Sequence, residues 1–264
     1  MSVRVALQDR FAPGASVREK YERANGFGFD AIEISVDPLR AASEAIRERV
    51  PVSAICGGYR GWLIDPDAES RRLARADLTR LLGLAGELGC GCVVVPIWGR
   101  TRNLPNIGTG RTREEDEALF VEAMIELAAE AARRGARLFI EPLNRYQNDV
   151  CNTIGDALRL RERIASDAVF VMGDAFHMNM EESDLGDPLR AAGRWLGHVH
   201  LADNHRLEPG TGHLDLRPMF AALAEIGYQG FASFELARLS GDANVVLPRS
   251  VERIRALIGE AGLA

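Results

Sequence analysis

Eight short apolar runs, each followed by a longer amphipathic stretch, constrain the fold more than any other feature of the chain. They are residues 3–8 (VRVALQ), 30–35 (DAIEIS), 51–56 (PVSAIC), 91–97 (GCVVVPI), 137–141 (RLFIE), 168–174 (AVFVMGD), 197–201 (GHVHL) and 231–235 (FASFE). Runs this short and this rich in Val, Ile and Phe read as strands, and apolar residues recurring at helical spacing fill the gaps. The helical patterns include 17–26, 66–88, 113–134, 153–166, 216–227 and 247–261. One carries both end signals: Thr112 with Glu115 reads as a capping box, and Gly135 as the stop. Eight such β/α units in 264 residues place the chain in the α/β class, as a (β/α)8 TIM barrel. An open doubly wound sheet fits less well, because no G-x-G-x-x-G follows the first strand. No linker or low-complexity run breaks the rhythm, so one TIM-barrel domain over 1–264 is expected.

Such a barrel keeps its chemistry at the carboxyl ends of its strands. There the last four runs end in Glu141, Asp174, His200 and Glu235, one per strand. A carboxylate closing an apolar strand is costly to bury unless something binds it. Four such groups on consecutive strands predict one divalent cation. Three carboxylates and one imidazole favour Mn2+ in roughly octahedral coordination, with Mg2+, Co2+ or Zn2+ as alternatives. Strand side chains alternate between faces, so Ile32 and Ile34 should pack outward while Ala31, Glu33 and Ser35 face the barrel interior. Glu33 is thus a candidate contact for a substrate hydroxyl, and His198, sharing a face with His200, should pack inside the barrel. Trp62 and Trp98 belong to loops (57–62 and 98–110) suited to a pocket wall. His205 and His213 read as solvated loop residues, and Glu181 and Glu182 as a solvated helix start.

Composition removes several function classes. A net charge of −6 gives no reason to expect nucleic acid or an anionic membrane as partner. Lys20, the only lysine, lies in an expected surface helix, which leaves a Schiff-base mechanism without a candidate. Cys56, Cys90, Cys92 and Cys151 form no C-x-x-C pair and read as reduced thiols. The first residues lack the apolar run of a signal peptide, and no stretch approaches the ~20 apolar residues of a membrane span. A cytoplasmic protein is expected. Oligomeric state is open, although this fold often pairs through its helices into homo-oligomers.

The motifs Glu141-Pro-Leu-Asn-Arg145, Gly173-Asp-Ala-Phe-His-Met-Asn179, His198-Val-His-Leu-Ala-Asp-Asn204 with Pro209-Gly-Thr-Gly212, and Gly227-Tyr-Gln-Gly-Phe-Ala-Ser-Phe-Glu235 carry a resemblance. Over roughly 141–235 the chain resembles the sugar isomerase/epimerase family of xylose-isomerase-like TIM barrels, nearest the D-tagatose 3-epimerase branch. The resemblance implies that Glu141, Asp174, His200 and Glu235 are metal ligands and that Glu141 and Glu235 are also the acid/base pair. It implies substrate contacts at His177 and Arg206. In that branch a second glutamate follows six residues after the first, where this chain has Gln147; glutamine keeps a hydrogen-bonding handle and loses the charge.

Metal-dependent C3 epimerisation of a ketose is the activity so implied. A cation on the ketone and neighbouring hydroxyl oxygens stabilises an enediolate, and two carboxylates move its proton, a contribution of about 10²–10⁴-fold. A related reading is aldose–ketose isomerisation. The alternative on the same scaffold is a dehydratase of a keto-inositol or dehydroshikimate-like substrate. A DNA-repair enzyme of the endonuclease IV type, which shares this barrel, would need histidines in the first half, and all five here lie at or after position 177. A non-catalytic sugar-binding barrel is a further class. No phosphate motif is present, so an unphosphorylated sugar is the expected partner.

Overall fold

In the computed structural model, which describes residues 3–98 and 109–263, every one of the eight apolar runs becomes a strand. They are β1 (Arg4–Gln8), β2 (Ala31–Ile34), β3 (Val52–Cys56), β4 (Gly91–Val94), β5 (Arg137–Ile140), β6 (Val169–Asp174), β7 (Leu196–Leu201) and β8 (Phe231–Phe234). All neighbours pair in parallel, and β8 returns to β1, which closes the barrel in sequence order. The helices are α1 (Val17–Phe27), α2 (Pro38–Glu48), α3 (Ala68–Leu88), α4 (Arg113–Arg134), α5 (Ile154–Ile164), α6 (Ala175–Glu181), α7 (Asp187–Ala192), α8 (Arg217–Glu225) and α9 (Ala243–Glu260). Among the described residues no helix is long and apolar enough to cross a membrane.

Local chemistry starts and stops these helices. Ser16 with Glu19, Thr112 with Glu115 and Thr153 with Asp156 close capping boxes at the starts of α1, α4 and α5. In each, two backbone N–H groups that the helix leaves without partners are bonded by side chains. Gly28, Gly89 and Gly135 end α1, α3 and α4 in the left-handed region, where a Cβ would be strained. The short α6 and α7 fall below the length at which hydrophobic periodicity is readable, and they divide the connection between β6 and β7.

Strand alternation then builds two apolar layers. Outward residues such as Leu7, Ile32, Ile34, Ile140, Val171 and Val199 pack on the helices in one continuous core. The barrel interior holds a smaller cluster, Ala54, Val93, Phe139 and Met172, toward the bottom. Above it lies a polar layer: Gln8 stands beside Glu33, Asp174 beside His200, and His200 beside Ser233 in the strand register. Parity alone separates the two faces, because each strand side chain must point in or out.

Candidate metal centre

Glu141 and Glu235 each stand one residue beyond the end of a strand, yet neither is loose. The Glu141 N–H donates to the Val94 carbonyl and the Glu235 N–H to the Leu201 carbonyl, so the ladder holds both backbones. Asp174 ends β6 and also caps α6: its Oδ1 accepts from the N–H groups of Phe176 and His177 at 2.8 and 3.4 Å. That use of Oδ1 leaves Oδ2 directed elsewhere. His200 completes the set from β7.

The four residues offer one ligand atom each, and these atoms lie within 4.8 Å of one another. Glu141 Oε1, Asp174 Oδ2 and His200 Nδ1 are buried with no hydrogen-bond partner. Leaving one such buried acceptor unpaired costs about 1–3 kcal/mol, and three of them converge on one place. His200 Nδ1 is 3.5 Å from Glu141 Oε1 and 3.2 Å from Glu235 Oε2. Atoms that each present a lone pair do not gather this way without a cation or protons between them. The donor set, three hard oxygens and one imidazole nitrogen, fits a divalent cation.

The imidazole orientations follow from their partners. Glu33 is fully buried beneath His200 and accepts from His198 Nε2 at 2.7 Å, His200 Nε2 at 3.0–3.1 Å and Gln8 Nε2 at 2.9 Å. An ionised carboxylate only accepts, so the His200 proton sits on Nε2 and Nδ1 keeps its lone pair for the centre. Such carboxylate–histidine–metal arrangements orient ligands and raise their basicity. The His198 ring stacks on Phe139 at 5.4 Å between centroids, as expected for a residue inside the barrel. His177 is fixed differently. Its Nδ1 accepts from the Asn144 backbone N–H at 3.1 Å, which puts its proton on Nε2. That Nε2 is buried, without a hydrogen-bond partner, 3.5 Å from Asp174 Oδ2.

Charges within the cluster displace one another strongly. Burial, then repulsion from Glu235, raises the Glu141 carboxyl above its ordinary range. Burial pushes Asp174 up to about 8, with Arg206 opposing and the other carboxylates assisting. Glu235 is also buried, but Arg206 and His200 outweigh that and hold it well below the usual range. Glu33 is likewise held low against its burial, by His200 and His198. His200 rises well above its usual value despite burial, because Glu33 and Glu235 face it. Three of the four, Glu141, Asp174 and His200, thus hold protons more tightly than usual where a cation would sit, while Glu235 stays ionised.

Arg206 covers the other side. Its guanidinium bonds Glu235 Oε2 at 2.5 Å, stands 3.7 Å from Asp174 Oδ2 and lies over the Phe176 ring. Its backbone is in the left-handed region, φ 60°, in a turn where its N–H donates to the Asp203 carbonyl at 2.8 Å. The Asp203 carboxylate accepts from the N–H groups of Asn204, Gly210, Gly212 and Leu214. A Cβ on Gly212 would come within 2.3 Å of Asp203 Oδ1, so this loop requires glycine there. Trp98, partly exposed, meets Trp62 edge to face at 6.2 Å, and Trp62 meets Tyr59 in the same way at 5.7 Å. Gln147 is buried in the loop after β5; of the expected wall loop 98–110, residues 99–108 lie outside the described residues.

Two expectations are corrected. Glu33 is fully buried and both its oxygens are bonded by His198, His200 and Gln8, so it orients the two imidazoles and offers nothing to a substrate hydroxyl. Glu181 ends α6 instead of starting a helix, and Arg145 clasps its carboxylate, while Glu182 accepts from the Ile154 N–H. Lys20 lies in α1, the expected surface helix, with Nζ 3.6 Å from Asp9 Oδ2. Asn144 and Asp203 have structural roles that spacing did not reveal. Asn144 stands three residues after Glu141, and that adjacency was the only available signal.

Comparison with known proteins agrees with this geometry. Residues 21–257 match the model of the xylose isomerase-like TIM barrel family. The chain is 35% identical over 240 residues to the 3-dehydro-D-guloside 4-epimerase of Escherichia coli (strain K12), covering 88% of this chain and 92% of that one. It is 31% identical over 233 residues to the D-psicose 3-epimerase of Ruminiclostridium cellulolyticum, covering 83% and 78%. Among solved structures, a 3-keto-D-glucoside 4-epimerase from E. coli superposes with a TM-score of 0.87 at 32% identity, over 96% of this chain and 99% of that one. An L-ribulose 3-epimerase superposes with a TM-score of 0.83 at 25% identity, over 98% and 95%. A closed eight-stranded barrel, a family match over residues 21–257 and near full-length relatives together establish that this chain belongs to the xylose isomerase-like TIM barrel family.

Proposed function

We propose that the protein is a divalent-metal-dependent sugar epimerase that inverts a carbon next to a ketone, with Glu141 and Glu235 moving the proton. The convergence of three partnerless buried ligand atoms with Glu235 carries this reading. Glu141, Asp174, His200 and Glu235 would hold the cation, Mn2+ before Mg2+, Co2+ or Zn2+. When bound, it supplies Lewis-acid stabilisation to negative charge on the substrate oxygens, worth several kcal/mol.

The chain's own groups supply the rest. Glu141 and Glu235 follow β5 and β8, three strands apart around the barrel, and their environments pull their proton affinities apart. One carboxyl raised and one lowered is the arrangement expected of an acid and a base sharing one site. In either direction of the reaction, one takes the proton from the carbon and the other returns one to the opposite face. His177 Nε2–H and the Arg206 guanidinium offer hydrogen bonds to substrate oxygens, and Gln147 a neutral one. Trp98 and Trp62 form an apolar wall against which a sugar face can lie.

Two substrate classes share this chemistry. A 3-keto-glycoside inverted at C4 comes first, because the chain spans 92% of the 4-epimerase and only 78% of the D-psicose 3-epimerase compared above. A free ketose inverted at C3, the activity expected from the motifs, comes second. The relatives are named for epimerisation, so the dehydratase alternative falls behind. Incubation with Mn2+ in D2O and a panel of 3-keto-glycosides and ketoses, read by NMR, tests both. Deuterium should enter at the carbon beside the ketone, and Glu141→Gln and Glu235→Gln should each slow this by at least about 10²-fold. Full exchange in both variants refutes the assignment.

A further inference from the structure

A cavity lies at the end of the barrel opposite the candidate metal centre. It is about 510 Å³ and is walled by the starts of the strands, with the His198 and Phe139 rings among its lining. Three arginines reach it, Arg4 from β1, Arg137 from β5 and Arg194 from the turn before β7, and its lining contains no aspartate or glutamate. Strands β1 and β5 stand across the ring from each other. Arg4 and Arg137 therefore line the cavity from opposite sides, with Tyr228 also in its lining.

Ordinary structural roles do not use up this charge. Among the described residues, none of the three arginines forms an ion pair or a side-chain hydrogen bond; Arg4 lies over the Phe231 ring at 3.9 Å and Arg194 over Trp195 at 4.6 Å. The carboxyl ends of α3, α7 and α8 do point this way, and each contributes roughly −0.5 of a charge. Three guanidinium groups exceed that sum by about +1.5. A cavity with surplus positive charge, in a chain of net charge −6, selects for an anion. Guanidinium forks match the oxygens of phosphate in particular.

We propose that this cavity at the amino-terminal end of the barrel is a binding site for a phosphate group, either inorganic phosphate or a phosphate monoester, held by Arg4, Arg137 and Arg194. The site is separate from the metal centre, and its use does not depend on the substrate assignment above.

Calorimetric titration of the full-length protein with inorganic phosphate, at constant ionic strength set with NaCl, tests this. Saturable binding is expected, weakened about tenfold by Arg137→Gln and further by Arg4→Gln with Arg137→Gln. Arg194→Gln, on a different element, should weaken it as well, and circular dichroism checks that each variant folds. A parallel titration with a hexose 6-phosphate separates the sources: tighter binding than inorganic phosphate identifies a monoester, and weaker binding identifies the free ion. Non-saturable heats, or a double variant that binds phosphate as the unaltered protein does, would overturn the proposal.

Discussion

The two halves of the barrel divide the labour at the metal centre. Strands β5 to β8 each position one residue of the candidate ligand set, Glu141, Asp174, His200 and Glu235. Strands β1 to β4 supply none, yet the first half is not passive. Glu33 on β2 fixes the proton of His200, and Gln8 on β1 bonds both Glu33 and Glu235, at 2.9 and 3.3 Å. Tyr59, Trp62 and Trp98, in the segments after β3 and β4, build the aromatic wall. The difference teaches that a ligand set clustered in one half of a chain still depends on the other half for its orientation.

That division can be broken experimentally. Glu33→Gln removes the charge that receives both histidine protons without emptying the space, and should weaken Mn2+ affinity by about 10–100-fold. Isothermal titration of the variant measures it directly, and unchanged affinity would reduce the first half to scaffold. A pH series sharpens the same comparison from the second half. Asp174 is pushed up to about 8 in the folded chain from an ordinary value of 3.8, so between those values the folded state holds a proton that the unfolded state has lost. Stability of the metal-free protein therefore falls as pH rises toward and through about 8, by an order of 1–3 kcal/mol. His200, raised against its ordinary 6.5, changes stability in the same direction. Thermal unfolding between pH 6 and 9 should show the midpoint dropping, and added Mn2+ should remove most of the drop; a rising midpoint would contradict the clustering of protons. The smallest effect belongs to the wall. Trp98→Ala should raise KM by about 3–10-fold with kcat nearly unchanged, since a wall binds ground and transition states alike. A kcat loss larger than the KM change would place Trp98 closer to the reacting carbon.

Much of this was legible before any coordinates. The eight strands fall within a few residues of the apolar runs, and α4 spans 113–134 as its capping box and terminal glycine predict. Both signals are local: a period of two and a side chain bonding a neighbouring N–H need no tertiary context. Legibility failed where the governing contact was distant. Glu33 was read as facing the interior, which holds, but a period of two does not say which residues an interior carboxylate meets. Glu181 looked solvated because its clasp, Arg145, lies in another loop. The α6 and α7 helices, seven and six residues long, present too few turns for a pattern.

Alternation and spacing, then, determined by themselves that four ligand-type side chains stand at the ends of successive strands and share an interior face. Local stereochemistry suffices for that, since parity is a property of one strand. Only closure of the barrel decided that these groups converge within 4.8 Å and that Glu33 bonds His198 and His200 from 165 and 167 residues away. Closure also joined Gln8 to Glu235 across 227 residues and gathered three arginines beneath the floor. Distances between strands depend on packing the whole apolar layer around them, and no stretch of sequence carries that information alone.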